Sequence, residues 1–232
     1  MMRLLRTPLL IINLKNYLEA SGNATIDLAV TAESVARDTG VEIALAPPSP
    51  FLSELAKAVE LPILAQHLDI AGPGSTTGSL VPEIVQTAGI AGSLINHSEH
   101  RITRNEIREI IQRLDKLEMN SILCAQDQNE ISELSKLLPT MVAIEPPDLI
   151  GSGVAISKAK PDLVSDCITA AHGSDSTATV ICGAGIISGQ DVKAALQLGA
   201  QGVLVASGIV KNKDWRKIIE EMVSPMRFFE LP

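Results

Sequence analysis

The stretch GSLINHSEHRITRNEIREIIQRLDKLEMNSILCA, residues 92–125, shows most clearly the local pattern from which the fold can be predicted. It begins with a short apolar run at 92–96 and ends with another at 120–125. Such runs are rich in branched aliphatic residues and do not alternate, which is typical of parallel strands buried on both faces. Because the segment between them has a helical pattern, the stretch predicts a strand, a helix and a second strand.

The predicted helix has a marked start and one apolar face. Thr103 and Glu106 have the spacing of a capping box, in which each side chain bonds the backbone amide of the other residue. Apolar residues then recur at helical spacing and would face a core. They are Ile107, Ile110, Ile111, Leu114 and Leu117.

The same alternation of apolar run and helical segment recurs along the chain. The starts of eight predicted strands are on average about 27 residues apart, the repeat expected of βα units. The strands are 9–14, 41–46, 62–66, 92–96, 120–125, 141–145, 178–182 and 201–206. Pro161 and Gly173 are placed like the first residue and the end of one further helix. Ser188 and Asp191 are spaced like the cap of another, and a last helix is predicted near 214–223.

Eight strands joined by right-handed helical crossovers predict an α/β fold, a single-domain (β/α)8 TIM barrel over residues 1–232. The alternative is an open, doubly wound sheet, which would need a switch point and usually has fewer units. The length suits one barrel, and no linker or low-complexity segment divides the chain.

Composition argues against several classes of protein. Hydrophobic residues make up 46% of the chain and aromatic residues 2%, so Leu, Ile, Val and Ala must fill a large core. The formal net charge is −8 and there is no basic stripe, so we expect no nucleic-acid partner. Three cysteines without a CxxC motif argue against a disulfide framework and a zinc site. With no signal peptide and no apolar stretch of about 18 residues, we expect no membrane partner and a cytoplasmic location.

Polar and glycine-rich residues gather at the carboxyl ends of the predicted strands, where the catalytic residues of such barrels lie. They are Asn13 and Lys15 after strand one, His97 after strand four, Glu145 at the end of strand six, Gly183 and Gly185 after strand seven, and Ala206 and Ser207 after strand eight. Each residue alone has a structural explanation, such as a surface charge, a helix cap or a tight turn. Their convergence on one mouth of the barrel predicts a catalytic site.

This set of residues suits proton transfer next to a carbonyl group. Glu145 could remove a carbon-bound proton, most effectively once closure of the site excludes water. His97 could donate a hydrogen bond to the carbonyl oxygen, and Lys15 would supply positive charge to that oxygen and to an anionic substrate. Backbone amides of 183–185 and 206–207 could hold a phosphate group.

The loop PPDLIGSG, which follows Glu145, has the features of a lid. Its two prolines stiffen one end, its two glycines allow bending at the other, and its apolar pair could cover a substrate. The predicted lid residues are Pro146, Pro147, Asp148, Leu149, Ile150, Gly151, Ser152 and Gly153.

In these motifs the chain resembles the triosephosphate isomerase family. The matching segments occur in the family's order and cover nearly the whole chain. They are NLK (13–15), AQH (65–67), GPGSTTG (72–78), HSEHR (97–101), EPPDLIGSG (145–153), CGAGI (182–186) and ASG (206–208). The short length and the CGAG turn are similar to the archaeal branch.

The resemblance implies interconversion of D-glyceraldehyde 3-phosphate and dihydroxyacetone phosphate through an enediolate, in glycolysis and gluconeogenesis, without a metal or a cofactor. Glu145 would be the base and neutral His97 the electrophile, a pairing for which this family is itself the standard example. A short helix after His97 would keep its imidazole neutral. Lys15 would stabilise the anion, Asn13 would orient the substrate, and Glu99 would be the electrostatic partner of Lys15.

The resemblance also implies phosphate contacts and a homo-oligomer. The amides of four residues would bind phosphate: Gly151, Gly185, Ala206 and Ser207. Thr77 would reach into a neighbouring subunit, which implies a dimer or, as often in the archaeal branch, a tetramer. Many members have Tyr-Gly-Gly-Ser at 182–185, so the lid latch formed by those hydroxyls must differ here. Ser79 replaces a frequent Glu, which puts one interface charge pair in doubt.

Two other functions remain open. One is a catalytically inactive phosphosugar-binding barrel or an oligomeric scaffold, and the other is a different phosphosugar enzyme such as an aldolase. The joint presence of Asn13, Lys15, His97 and Glu145 argues against an inactive barrel. An aldolase would need a Schiff-base lysine inside a strand or a metal cluster, and the sequence indicates neither.

Overall fold

The computed structural model describes residues 4–149, 151, 153–173 and 178–229. Its eight strands are β1 (Leu9–Asn13), β2 (Glu42–Ala46), β3 (Leu64–Ala65), β4 (Gly92–Ile95), β5 (Asn120–Ala125), β6 (Met141–Ile144), β7 (Thr179–Cys182) and β8 (Gly202–Val205). They form one parallel sheet in the order β2-β1-β8-β7-β6-β5-β4-β3. A parallel bridge between Leu45 and Ile63 joins its two ends. The predicted (β/α)8 barrel is therefore confirmed, and the open sheet is excluded.

Helices follow the strands as the barrel topology requires. The α-helices are α1 (Asn23–Thr39), α2 (Leu52–Ala58), α3 (Pro82–Thr87), α4 (Arg104–Lys116), α5 (Gln128–Leu134), α6 (Ile156–Ala159), α7 (Pro161–His172), α8 (Gly189–Gln197), α9 (Ser207–Val210) and α10 (Trp215–Val223). Across the described part of the chain, none of them is long and apolar enough to cross a membrane.

The start signals read from the sequence are present in the structure. Thr103 donates its backbone N–H to Glu106 Oε2 at 2.7 Å and accepts the Glu106 N–H at 3.3 Å, which completes the capping box of α4. Pro161 is the first residue of α7, and Gly173 is the residue after its last turn. β3 is shorter than the predicted run 62–66, because only Leu64 and Ala65 pair regularly with β4, and Ile63 makes a single bridge to Leu45.

The strands separate two apolar layers. Along β1, Leu9 and Ile11 belong to a cluster of side chains inside the barrel, whereas Leu10 and Ile12 belong to the larger cluster between strands and helices. This alternation follows from the two-residue period of a strand. It explains why the strands read as continuous apolar runs, since both faces of each strand are buried.

Candidate active site

One cavity at the carboxyl-terminal mouth of the barrel is lined by most of the predicted site residues. Side chains from three strand ends reach it: Asn13, Lys15, His97 and Glu145. Backbone segments complete it: Gly151, Gly153, Gly183, Gly185, Ala206 and Ser207. Parallel strands bring these segments together because all their carboxyl ends lie at one rim. Glu99 borders an adjoining groove, and Thr77 is exposed on a separate loop.

Glu145 is held at the end of β6 as a buried carboxylate. Its side chain is 3% exposed, and its backbone N–H donates to the Ala125 carbonyl at 2.8 Å. Burial raises the pKa of Glu145 to about 7, although the neighbouring Cys124 thiol and the charge of Lys15 oppose the shift. Among the described residues, no hydrogen-bond partner reaches its Oε2 atom. A carboxylate of this kind is a base that can take a proton near neutral pH.

Gly183 makes room for Glu145. A Cβ atom at position 183 would lie 2.6 Å from Glu145 Cγ and 3.0 Å from its Oε1 atom, closer than real side chains approach. The Gly183 N–H donates to the Ile144 carbonyl at 2.9 Å. The predicted role of Gly183 as a phosphate donor is therefore corrected, because its amide is already used in the barrel and its missing side chain serves the base.

His97 carries a neutral ring whose tautomer follows from one hydrogen bond. The Glu99 N–H donates to His97 Nδ1 at 3.2 Å, so Nδ1 is an acceptor and the proton lies on Nε2. Burial, and then the charge of Lys15, lower the pKa of His97 to about 4. The predicted short helix after His97 is wrong: residues 98–99 form a turn, closed by the His100 N–H to the His97 carbonyl at 2.8 Å. Burial therefore replaces the helix dipole as the main reason for a neutral imidazole.

Asn96 fixes the end of the strand that carries His97. Its φ is 61°, in the left-handed region, where Asn is among the better tolerated residues. Its side-chain amide donates to the Cys124 carbonyl at 3.1 Å, and its Oδ1 atom accepts the Ile102 N–H at 3.2 Å. Sequence reasoning placed Asn96 at the end of strand four but missed its role, although an Asn between an apolar strand and a polar turn is a recognisable signal for that conformation.

Lys15 occupies a similarly unusual backbone conformation, with a φ of 46°. The Asn13 side chain accepts its N–H at 3.0 Å, and the Gln66 amide donates to its carbonyl at 3.0 Å. Its Nζ atom lies 2.6 Å from Glu99 Oε1. The role of Gln66 was missed by sequence reasoning, although the residue belongs to the quoted AQH segment. The cation is thus aimed into the cavity by contacts from three strand ends.

Comparison with known proteins assigns the chain to one family. The sequence model of the triosephosphate isomerase family matches residues 8–222. The chain belongs to the triosephosphate isomerase family. It is 47% identical over 221 residues to the triosephosphate isomerase of Cenarchaeum symbiosum, which covers 95% of this chain and 99% of that one. The triosephosphate isomerase of Methanobacterium bryantii is 43% identical over 218 residues, 94% of this chain and 96% of its own. That of Caldivirga maquilingensis is 41% identical over 222 residues, 96% and 99% of the two chains.

The structure describes most residues of the predicted lid loop. Residues Pro147–Leu149 form a single 3-10 turn, and Leu149 is buried. Gly151 and Gly153 have φ angles of 69° and 73°, so the two glycines adopt conformations that other residues rarely accept. Ile150 and Ser152, both predicted lid residues, lie outside the described residues. Asp148 Oδ2 lies 2.7 Å from Lys160 Nζ, which connects the lid to the segment that follows it.

Two further residues at the candidate site were missed by sequence reasoning. Tyr17 lines the cavity mouth, and the Lys211 ammonium lies 4.6 Å from the centre of its ring. Cys124 lies inside the barrel and belongs to none of the sequence motifs. It comes close to Glu145 only because β5 pairs with β6. Burial and the charge of Glu145 raise the pKa of the Cys124 thiol, so it stays protonated.

Proposed function

We propose that this protein interconverts D-glyceraldehyde 3-phosphate and dihydroxyacetone phosphate. The observation that carries the proposal is the pairing of two buried groups with complementary protonation states. His97 Nε2, which bears the proton, lies 3.5 Å from Glu145 Oε1. A hydrogen-bond donor and a base so close together suit a carbonyl oxygen and the neighbouring C–H bond of one substrate.

The proton transfer follows from this geometry. Glu145 takes the proton from the carbon next to the carbonyl group, and the electron pair of the broken C–H bond forms the enediolate. His97 donates its Nε2–H to the developing oxyanion, and Lys15 supplies positive charge on the same side of the cavity. His97 passes its Nε2 proton to that oxygen and takes the proton of the neighbouring hydroxyl group, and Glu145 returns its own proton to the former carbonyl carbon, which completes the isomerisation. Asn13 supports this step by holding the Lys15 backbone.

The phosphate group would bind at the opposite end of the cavity. Gly185, Ala206 and Ser207 line it from two neighbouring turns, and Gly151 and Gly153 line it from the lid. Backbone amides in such turns bind phosphate without a side chain, which fits the small residues at these positions. The same proposal places the protein in the cytoplasm, where soluble triose phosphates are metabolised.

The test is a coupled isomerase assay with Glu145→Gln and a matched surface variant, Glu109→Gln. We expect the first variant to lose activity by about a thousandfold or more, as for loss of a general base, while it still binds 2-phosphoglycolate. The second variant should keep wild-type activity, since Glu109 is an exposed residue of α4. A wild-type protein that binds 2-phosphoglycolate without turnover would instead identify an inactive phosphosugar-binding barrel.

We further propose a homo-oligomer in which the loop 72–79 of a second copy approaches Lys15. A groove of about 360 Å³ opens beside Lys15 and Glu99. The base of the loop is held by Arg113, which donates to the Ile70 carbonyl at 2.8 Å and the Ala71 carbonyl at 3.0 Å, and this leaves Thr77 exposed at the tip. Light scattering of the wild type and of Thr77→Arg tests this, with a lower mass and lower turnover expected for the variant.

A further inference from the structure

The C-terminal end of the lid packs directly on the phosphate turn, defined here as residues 183–187. The Ile156 N–H donates to the Ala184 carbonyl at 3.2 Å. Gly185, with a φ of 71°, approaches so closely that a Cβ atom there would lie 1.9 Å from the Val154 carbonyl oxygen. A movement of one segment therefore displaces the other, because no free space separates the two backbones.

Asp191 holds the far end of the phosphate turn. This residue is 2% exposed, and its Oδ2 atom accepts the Ile187 N–H at 3.1 Å and the Ser188 N–H at 3.0 Å. The Ser188 hydroxyl donates to the same oxygen at 2.8 Å. Asp191 thereby fixes the exit of the turn as well as the first turn of α8.

The other oxygen of Asp191 is engaged by the segment that follows the lid. The Nζ atom of Lys158, in α6, lies 2.6 Å from Asp191 Oδ1. The Ser157 hydroxyl donates to the Asp191 carbonyl at 3.2 Å. Ser157 and Lys158, which follow the lid, are thus both bonded to Asp191, the residue that closes the phosphate turn.

The ionisation of Asp191 agrees with this pairing. Burial by itself would raise the pKa of its carboxyl, but the bonds from Lys158 and Ser188 outweigh burial and hold the pKa below its ordinary value. The pair is therefore a charged one, with its carboxylate buried and its ammonium 53% exposed.

We propose that Asp191, paired with Lys158, is a positioning residue that couples the C-terminal end of the lid to the phosphate turn. The inference rests on the proposed function, because the coupling matters only if a phosphate group closes the lid. Neither residue lines the cavity, so both act through the phosphate turn and the lid.

The coupling predicts that a variant without the ion pair loses activity only on substrates that carry a phosphate group. Binding energy from a remote phosphate is used to close the site over the reacting carbons. If the pair transmits that energy, its removal weakens turnover of glyceraldehyde 3-phosphate but leaves the slow isomerisation of glyceraldehyde, which has no phosphate, unchanged. A defect in general stability would lower both activities together.

The experiment compares Lys158→Met with Lys158→Arg and with Lys193→Met, an exposed position on α8. We expect Lys158→Met to lower kcat/KM for glyceraldehyde 3-phosphate by about fivefold, the upper range for a half-exposed ion pair. The dissociation constant of 2-phosphoglycolate should rise by a similar factor. Lys158→Arg should restore both values to within about twofold, Lys193→Met should match the wild type, and none of the variants should change the activity on glyceraldehyde.

Ser157→Ala provides a second, independent variant, because it removes the other bond to Asp191 without altering charge. Wild-type values for Lys158→Met with both substrates would overturn the inference and leave the proposed function intact. An equal loss with both substrates would also overturn it, since the pair would then support the barrel as a whole. Absence of isomerase activity in the wild type would overturn the proposed function itself, and 2-phosphoglycolate affinity would still test the coupling.

Discussion

His97 Nε2 lies 3.5 Å from Glu145 Oε1, and both side chains are buried at the same mouth of the barrel. Burial opposes charge on either group, so it moves the two pKa values in opposite directions. The pKa of His97 falls to about 4 and that of Glu145 rises to about 7. The ring is therefore neutral throughout the range in which the carboxyl group changes its charge.

This ordering predicts the pH dependence of turnover. Because the base must be ionised, kcat/KM should fall with a slope of one proton as the pH drops through about 7. His97 should add a second loss only near pH 4. Initial rates with glyceraldehyde 3-phosphate at constant ionic strength measure both limbs. A profile that stays flat from pH 9 to pH 5 would contradict the raised pKa of Glu145.

Gly183→Ala tests the steric demand of the base. The added methyl group would lie 2.6 Å from Glu145 Cγ, so the carboxylate must move away from its position beside His97. We expect kcat to fall by about a hundredfold, the effect of a displacement near 1 Å at a reacting group. Glu109→Gln, at an exposed position of α4 away from the site, is the control. Equal activity of the two variants would show that Glu145 tolerates the methyl group.

Asn96→Gly and Asn96→Ala separate the two contributions of Asn96. Glycine accepts the φ of 61° but loses the bonds to the Cys124 carbonyl and the Ile102 N–H, which should lower the free energy of unfolding by about 2 kcal/mol. Alanine loses the same bonds and adds backbone strain, which should cost about 1 kcal/mol more. Urea unfolding measures this order, and kcat should fall in both variants because His97 follows directly. If the alanine variant were as stable as the glycine variant, the left-handed conformation would carry no strain.

The barrel was predictable because each of its units is marked locally. Apolar runs, capping boxes such as Thr103 with Glu106, and a Pro at the start of α7 all act within a few residues of the chain. The position of Asn13, Lys15, His97 and Glu145 near strand ends could be read in the same way, since parallel strands bring their carboxyl ends to one rim. The shortness of β3 was not predictable, because the extent of a strand depends on what its neighbours offer.

Local sequence patterns were enough to predict the eightfold strand and helix repeat, the rim on which the polar residues lie, and the family to which the chain belongs. The contacts between those residues could be read only from the folded barrel. Three features depend on atoms from different segments. They are the space that Gly183 leaves for Glu145, the proton on Nε2 of His97, and the ion pair between Lys158 and Asp191. Local sequence patterns indicate the course of the backbone. The charge and the orientation of a side chain depend on its burial and its contacts, and these exist only after the barrel has closed.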